Sequence, residues 1–331
     1  MFATSEGTSR FVNRFPGHRD NAFYRTVLNL SVSSVGIGTY LGPSDDAADC
    51  AYTAALVAAA ENGINVFDTA INYRAQRSER CVGAALKQLQ RDEIVVCTKA
   101  GFFTPGAEPA DLAHAELIGG MHSMAPGFLV DQAERSRANL GVDTIDVLYL
   151  HNPETQLGFV RGDEFESRLA RAFDRLEQLV ERKVIRWYGA ATWEGLRKGA
   201  LRLDRMAALA EKAGGPAHHF RFIQLPFNLS MIEAYVDRPE SVLETAARLG
   251  IAVIASAPLL QTRILDHMPE TVGRILPGLD TPAQRAIQFT RSTPGIAVAL
   301  VGMRQREHVI ENLGVARVPH AALEQYRRFY Q

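Results

Sequence analysis

Eight short runs of apolar and β-branched residues recur along the chain, each followed by a stretch with helical spacing, and this alternation restricts the fold to parallel strands joined by crossover helices. The runs are residues 35–38, 64–67, 94–98, 145–150, 184–189, 222–225, 251–256 and 296–301. Helical periodicity occupies about residues 46–61, 77–90, 128–140, 164–182, 195–212, 239–248 and 282–291, with Gly141 and Gly250 where helices would stop. Strands that are apolar on both faces need cover on both, which closure into a barrel supplies. A doubly wound sheet would want a phosphate-binding glycine loop, and no G-x-G-x-x-G follows any run. The expected architecture is therefore α/β, a (β/α)8 TIM barrel over about residues 33–315. A short β-hairpin at about residues 23–33 would close its bottom, and a helical tail would follow at about residues 318–330. No linker-like stretch divides the chain, so a single domain over residues 1–331 is expected.

Thirty-six basic residues against thirty-seven acidic ones leave a net charge of -1, which lacks the basic footprint of a nucleic-acid binder and favours small-molecule partners. Cys50, Cys81 and Cys97 have neither metal-ligand spacing nor the density of a disulfide framework, so no metal is expected. The polar opening, and apolar stretches far short of the roughly 20 residues that span a bilayer, argue against a membrane role. The expected location is the cytoplasm, and composition leaves the oligomeric state open.

Four residues with chemistry to offer stand at or just past the C-terminal ends of the second, third and fourth runs: Asp68, Tyr73, Lys99 and His151. TIM barrels build their sites at that place. Singly, each has an ordinary structural role, as helix cap, core ring, solvated amine or hydrogen-bonded imidazole. Together they put an acid, a phenol, an amine and an imidazole at one barrel mouth. Residues 102–127 form a long insertion after the third run, on the same face, where it would shape a substrate pocket.

In order and spacing, several motifs resemble the aldo-keto reductase superfamily over about residues 27–315. They are Gly36-Ile37-Gly38-Thr39-Tyr40, Phe67-Asp68-Thr69-Ala70-Ile71-Asn72-Tyr73, Arg77-Ser78-Glu79-Arg80-Cys81-Val82-Gly83-Ala84-Ala85-Leu86, Lys99, Asp146-Val147-Leu148-Tyr149-Leu150-His151, Gln224, Gly302-Met303-Arg304 and Glu311-Asn312. The resemblance implies a carbonyl reductase that uses a nicotinamide cofactor without a Rossmann fold. Hydride delivery to a carbonyl carbon leaves charge on oxygen, so a proton donor and positive potential are needed there. Tyr73 is the expected donor, Lys99 the cation that lowers its pKa, Asp68 the anchor of Lys99, and His151 the hydrogen-bond donor that orients the carbonyl.

For the cofactor, the resemblance points to Gly38, Thr39, Tyr40, Asp68, Thr192, Gln224, Ser256, Ala257 and Leu259, and to Gly302, Met303, Arg304, His308, Glu311 and Asn312 after the eighth strand. Arg304 suits a 2′-phosphate, which favours NADPH, with NADH possible. The chain departs from the family at Ala191-Thr192, where Ser-Asn is common, and after residue 254, where Ser256 stands in place of a stacking aromatic ring. Thr192 partly substitutes for the first, and Trp193 is a candidate ring for the second. The expected substrate wall is Tyr40, Phe102, Phe103, His122 and Trp193. Two other readings stay open: a cofactor-binding regulatory barrel with little turnover, and a lyase that forms a Schiff base through Lys99.

Overall fold

In the computed structural model, which describes residues 1–104, 106–109, 116–237, 239–266 and 268–330, eight parallel strands close into a barrel. They are β3 (Val35–Gly38), β4 (Val66–Asp68), β5 (Val95–Ala100), β6 (Ile145–His151), β7 (Ile185–Ala191), β8 (Phe220–Pro226), β9 (Ala252–Ser256) and β10 (Ile296–Gly302), with β10 pairing to β3 to complete the ring. A separate antiparallel hairpin, β1 (Tyr24–Val27) and β2 (Leu30–Ser33), lies ahead of them. All eight expected runs are strands, displaced by no more than two residues at either end.

Period-two alternation decides which side chains enter the barrel. Val66, Val95, Cys97, Val147, Tyr149, Phe222, Val298 and Leu300 pack together inside, joined by Leu30 and Val32 of the hairpin, so the barrel is a filled core plugged from below. Phe67, Val96, Leu148, Leu150, Ile223 and Val301 have the opposite parity and pack in the outer layer with helix residues such as Leu56, Val82, Leu129 and Leu176. One further step along the inward parity places Asp68 on β4, Lys99 on β5, His151 on β6 and Gln224 on β8 at the upper rim. That step converts the core pattern into a site.

Several elements differ from the sequence reading. The stretch of helical spacing at residues 195–212 becomes a helix only at Leu203–Gly214. The residues before it form turns, because the carboxylate of Glu154 collects the backbone N–H groups of Trp193, Glu194 and Gly195 at 2.7, 3.1 and 3.1 Å and Gly199 takes a φ of +74°. The helix expected to reach residue 90 ends at Leu86. Helices at Ser5–Asn13, Pro16–Asp20, Glu270–Ile275 and Arg306–Asn312 carry no periodicity long enough to be read in advance. Of the long insertion, residues 105 and 110–115 lie outside the described residues. In the tail, a short helix at Leu323–Arg327 occupies part of the expected stretch.

Where β7 meets β8 the two backbones come unusually close, at a register shift between Tyr188 and Gly189. A Cβ on Gly189 would sit 2.1 Å from the carbonyl oxygen of Phe222, a backbone atom that cannot swing aside. Gly189→Ala is expected to lower stability by about 1–3 kcal/mol, read as a drop in the urea midpoint followed by far-UV circular dichroism. An unchanged midpoint would show that the strands can spread there without cost.

Candidate active site

At the upper rim the Lys99 ammonium lies 2.6 Å from Asp68 Oδ1 and donates to the Thr69 carbonyl at 2.8 Å. The second oxygen of Asp68 accepts from Gln224 Nε2 at 2.8 Å, which ties β4, β5 and β8 together. Lys99 is 1% exposed, so burial works against its charge, yet the Asp68 carboxylate and Tyr73 outweigh it and hold its pKa above the ordinary lysine value. Its Nζ stands 4.9 Å from the centroid of the Tyr73 ring. The Tyr73 phenol is pushed up by burial, and the neighbouring Lys99 opposes that push without overcoming it. This corrects the expectation of a lowered phenol: desolvation wins, and Tyr73 is held firmly protonated at neutral pH.

Tyr73 packs against Tyr40 with ring centroids 4.8 Å apart and planes tilted by 57°, and it meets the edge of His151 at 5.8 Å, while His151 meets Phe102 at 5.0 Å. Burial, followed by the Lys99 cation and His122, pushes the His151 imidazole well below its usual pKa, so it is neutral. These rings form one wall of a cavity of about 830 Å³, within the range of small-molecule and cofactor sites. Gly38, Thr39, Tyr40, Asp68, Thr192, Trp193, Gln224, Ser256, Ala257, Leu259, Gly302, Arg304 and His308 also line it. Lys99 lies beneath that lining.

Five expected residues are placed elsewhere. Met303 is fully buried in the outer core, because the parity after β10 turns its side chain away from the mouth. Glu311 is exposed and Asn312 buried at the far end of the Arg306–Asn312 helix, and neither lines the cavity. Phe103 and His122 do not line it either. The insertion doubles back in antiparallel bridges, Phe102 and Ile118 each pairing with His122, which carries His122 behind the wall rather than onto it. There its Nε2 bonds the His151 carbonyl at 2.8 Å while its Nδ1 meets Gln156 Nε2 at 3.0 Å. Gly101, at φ +149°, is wedged into this contact, and a Cβ there would meet His122 Nε2 at 2.9 Å and the His151 carbonyl at 3.0 Å.

Residues not singled out in advance also reach the cavity, among them Asn72, Asn152, Tyr52 and Gln305. Asn152 takes a left-handed conformation at φ 49° and ψ 60°, a region in which Asn is enriched. Its place between His151 and Pro153 was the available signal. Two residues of the lining carry polar groups without partners among the described residues. The Thr192 hydroxyl is buried with no hydrogen bond, and the Arg304 guanidinium, half-buried, has no acidic partner and rests against Gly42. After β9 the wall is built from strained backbone, with positive φ at Ala257, Leu260, Gln261 and Thr262.

A family model of the aldo/keto reductases matches residues 34–329. The chain belongs to the aldo/keto reductase family. Among its relatives, an uncharacterized oxidoreductase, YqkF, of Bacillus subtilis is 23% identical over 325 residues, covering 90% of this chain and 92% of that protein. A D-threo-aldose 1-dehydrogenase of a Pseudomonas species is 33% identical over 176 residues, 48% of this chain and 50% of that protein. The same fold is seen in the crystal structure of an aldo/keto reductase from Klebsiella pneumoniae in complex with NADP and acetate, at a TM-score of 0.67 and 24% identity, covering 92% of this chain and 94% of that one. Among the described residues no helix is long and apolar enough to cross a membrane.

The buried histidines make stability depend on pH. Burial pushes His122 down to about 4, against its hydrogen bond to the His151 carbonyl, whereas in the unfolded chain it titrates near 6.5. Between those values the unfolded state binds the extra proton, so stability falls as pH drops through that window. The loss due to His122 is on the order of 3 kcal/mol. In urea denaturation at about pH 7.5 and about pH 4.5, His122→Gln is expected to lose distinctly less stability than the parent protein, and equal losses would contradict a neutral, buried His122.

Proposed function

We propose that this aldo/keto reductase family member reduces an aldehyde or ketone to the alcohol with NADPH, using Tyr73 as proton donor. The observation that carries the reading is the Asp68–Lys99 pair set under the Tyr73 ring at the floor of the cavity. The cofactor reading is supported by the two unpartnered groups that a dinucleotide would satisfy. The Arg304 guanidinium suits the 2′-phosphate, and the orphaned Thr192 hydroxyl suits the nicotinamide carboxamide. Gly38, Thr39, Ser256, Ala257 and Leu259 would hold the remainder. Once bound, NADPH supplies hydride to the carbonyl carbon.

The chain's own residues do the rest. As charge develops on the carbonyl oxygen, the Tyr73 hydroxyl, kept protonated by burial, gives up its proton there. The Lys99 ammonium stabilises the phenolate that remains, and Asp68 keeps Lys99 charged and in place. His151, neutral and with Nδ1 enclosed without a partner, has Nε2 left to donate a hydrogen bond to the carbonyl oxygen and fix its direction. Phe102, Tyr40 and Trp193 give the carbonyl an aromatic surround.

A Schiff-base lyase is disfavoured by the same geometry, since an amine held protonated by a carboxylate 2.6 Å away lacks the lone pair that attacks a carbonyl. The three free thiols support a reducing, cytoplasmic setting, and the barrel with its hairpin and tail supports a single domain.

Tyr73→Phe is expected to lower kcat by about 10²–10⁴-fold while leaving the NADPH dissociation constant within about twofold, measured by NADPH absorbance and by quenching of tryptophan fluorescence. Full turnover by that variant would defeat the mechanism. Arg304→Ala is expected to weaken NADPH by about 1.5–3 kcal/mol and NADH far less, and equal weakening would remove the 2′-phosphate assignment. A regulatory barrel would bind NADPH yet oxidise it with no member of a broad carbonyl panel.

A further inference from the structure

Directly after Tyr73 the main chain runs through three successive left-handed residues, none of them glycine: Arg74, Ala75 and Gln76, at φ +49°, +51° and +70°. Backbone of this kind persists only where surrounding contacts over-determine it. The contacts come from the Arg74 guanidinium, whose side chain is 2% exposed. Its Nε donates to the Pro43 carbonyl at 2.8 Å, and its Nη2 donates to Asp49 Oδ1 at 2.5 Å and to the Asp45 carbonyl at 3.4 Å. Its Nη1 lies 3.6 Å from Cys81 Sγ, and its Cζ stands 5.1 Å from the centroid of the Tyr52 ring. Tyr52 in turn donates its hydroxyl to the Leu41 carbonyl.

One side chain thus clamps the residue next to the phenol onto the loop of residues 40–45. That loop lines the cavity through Tyr40, Leu41 and Gly42. Tyr40 packs on Tyr73 in a tilted contact at 4.8 Å, and Gly42 is the residue against which the Arg304 guanidinium rests. A salt bridge to Asp49 alone would satisfy the charge. The extra bonds to two loop carbonyls reach past charge balance to the shape of the cavity wall.

We propose that Arg74 is a positioning residue for the reaction: through the 40–45 loop it holds the Tyr73 phenol, the Tyr40 wall and the anion-facing Arg304 in one fixed arrangement. The role rests on the reductase reading given above. It differs from simple core packing in what its loss would disturb, namely turnover and both binding steps in protein that is still folded.

The test compares Arg74→Gly and Arg74→Lys with the parent protein. Glycine suits the left-handed backbone, so the first variant removes the guanidinium without adding strain. Lysine keeps the charge and can reach Asp49, but it has no planar fork to bond the Pro43 carbonyl at the same time. For Arg74→Gly the expected result is a fall in kcat of about ten- to a hundredfold, a several-fold rise in carbonyl KM and a several-fold weaker NADPH Kd, with parent-like far-UV circular dichroism and a melting temperature that is lowered yet stays well above the assay temperature, since Asp49 keeps its pair with Arg77. Arg74→Lys is expected to recover part of the kcat and little of the KM. Parent-like kcat and KM in Arg74→Gly would overturn the proposal, as would a loss that merely tracks the unfolded fraction. Turnover by the parent protein is measured first. Its absence across the carbonyl panel sinks the reductase reading and this role with it, whereas a parent and an Arg74→Gly variant that are equally active sink the role alone.

Discussion

The ion pair between Asp68 and Lys99 governs the arrangement of the barrel mouth. Side chains 6% and 1% exposed, 2.6 Å apart, stand where either charge alone would be costly, and removing one partner of such a pair typically costs about 3–5 kcal/mol. Further bonds therefore come from neighbouring elements: the Thr69 carbonyl accepts from Lys99, and Gln224 donates to Asp68. Those bonds lock β4, β5 and β8 in register at the rim. With the ammonium fixed, the Tyr73 ring has a cation beneath it, and with a cation beneath it the phenolate left by proton transfer is tolerable in a desolvated place.

Much of this could be read from the order of residues, and the limit of that reading has a physical cause. Strands announce themselves by runs that are apolar on both faces, so all eight were legible, and Lys99 stood out by its place at the end of the third. Motif spacing brought Asp68, Tyr73, Lys99 and His151 to one mouth. What failed was anything decided by loops. His122 looked like pocket wall because its segment lies on the right face, but the antiparallel bridges at Phe102 and Ile118 turn it behind His151. Met303 came with the Gly302-Met303-Arg304 motif, yet its side chain turns into the outer core, and the lowered phenol was misjudged because burial, invisible in sequence, outweighs the nearby ammonium.

The supports of the site share a form. Arg74, His122 and Glu154 do not reach the cavity floor, and each bonds main chain rather than a reacting side chain: the Pro43 carbonyl, the His151 carbonyl, and three successive amides beginning at Trp193. Backbone bonds of this kind set position without dictating side-chain identity. They give the cavity wall a shape that its own apolar contacts would leave loose.

The closure of the long insertion has a consequence for how such a protein can change. Phe103 N donates to the Met121 carbonyl and Ser123 N to that of Gly101, at 2.7 and 2.8 Å, so the excursion is stapled at its base directly beside His151. Further out, described residues of the excursion are held to helices: the Glu108 carbonyl accepts from Arg135, Glu116 pairs with Arg171, and Leu117 packs on Phe128. The two stitches divide the labour along one loop: Gly101, Phe102 and His122 hold the His151 imidazole at the cavity, and the strain of any change farther out falls on the helices rather than on that histidine.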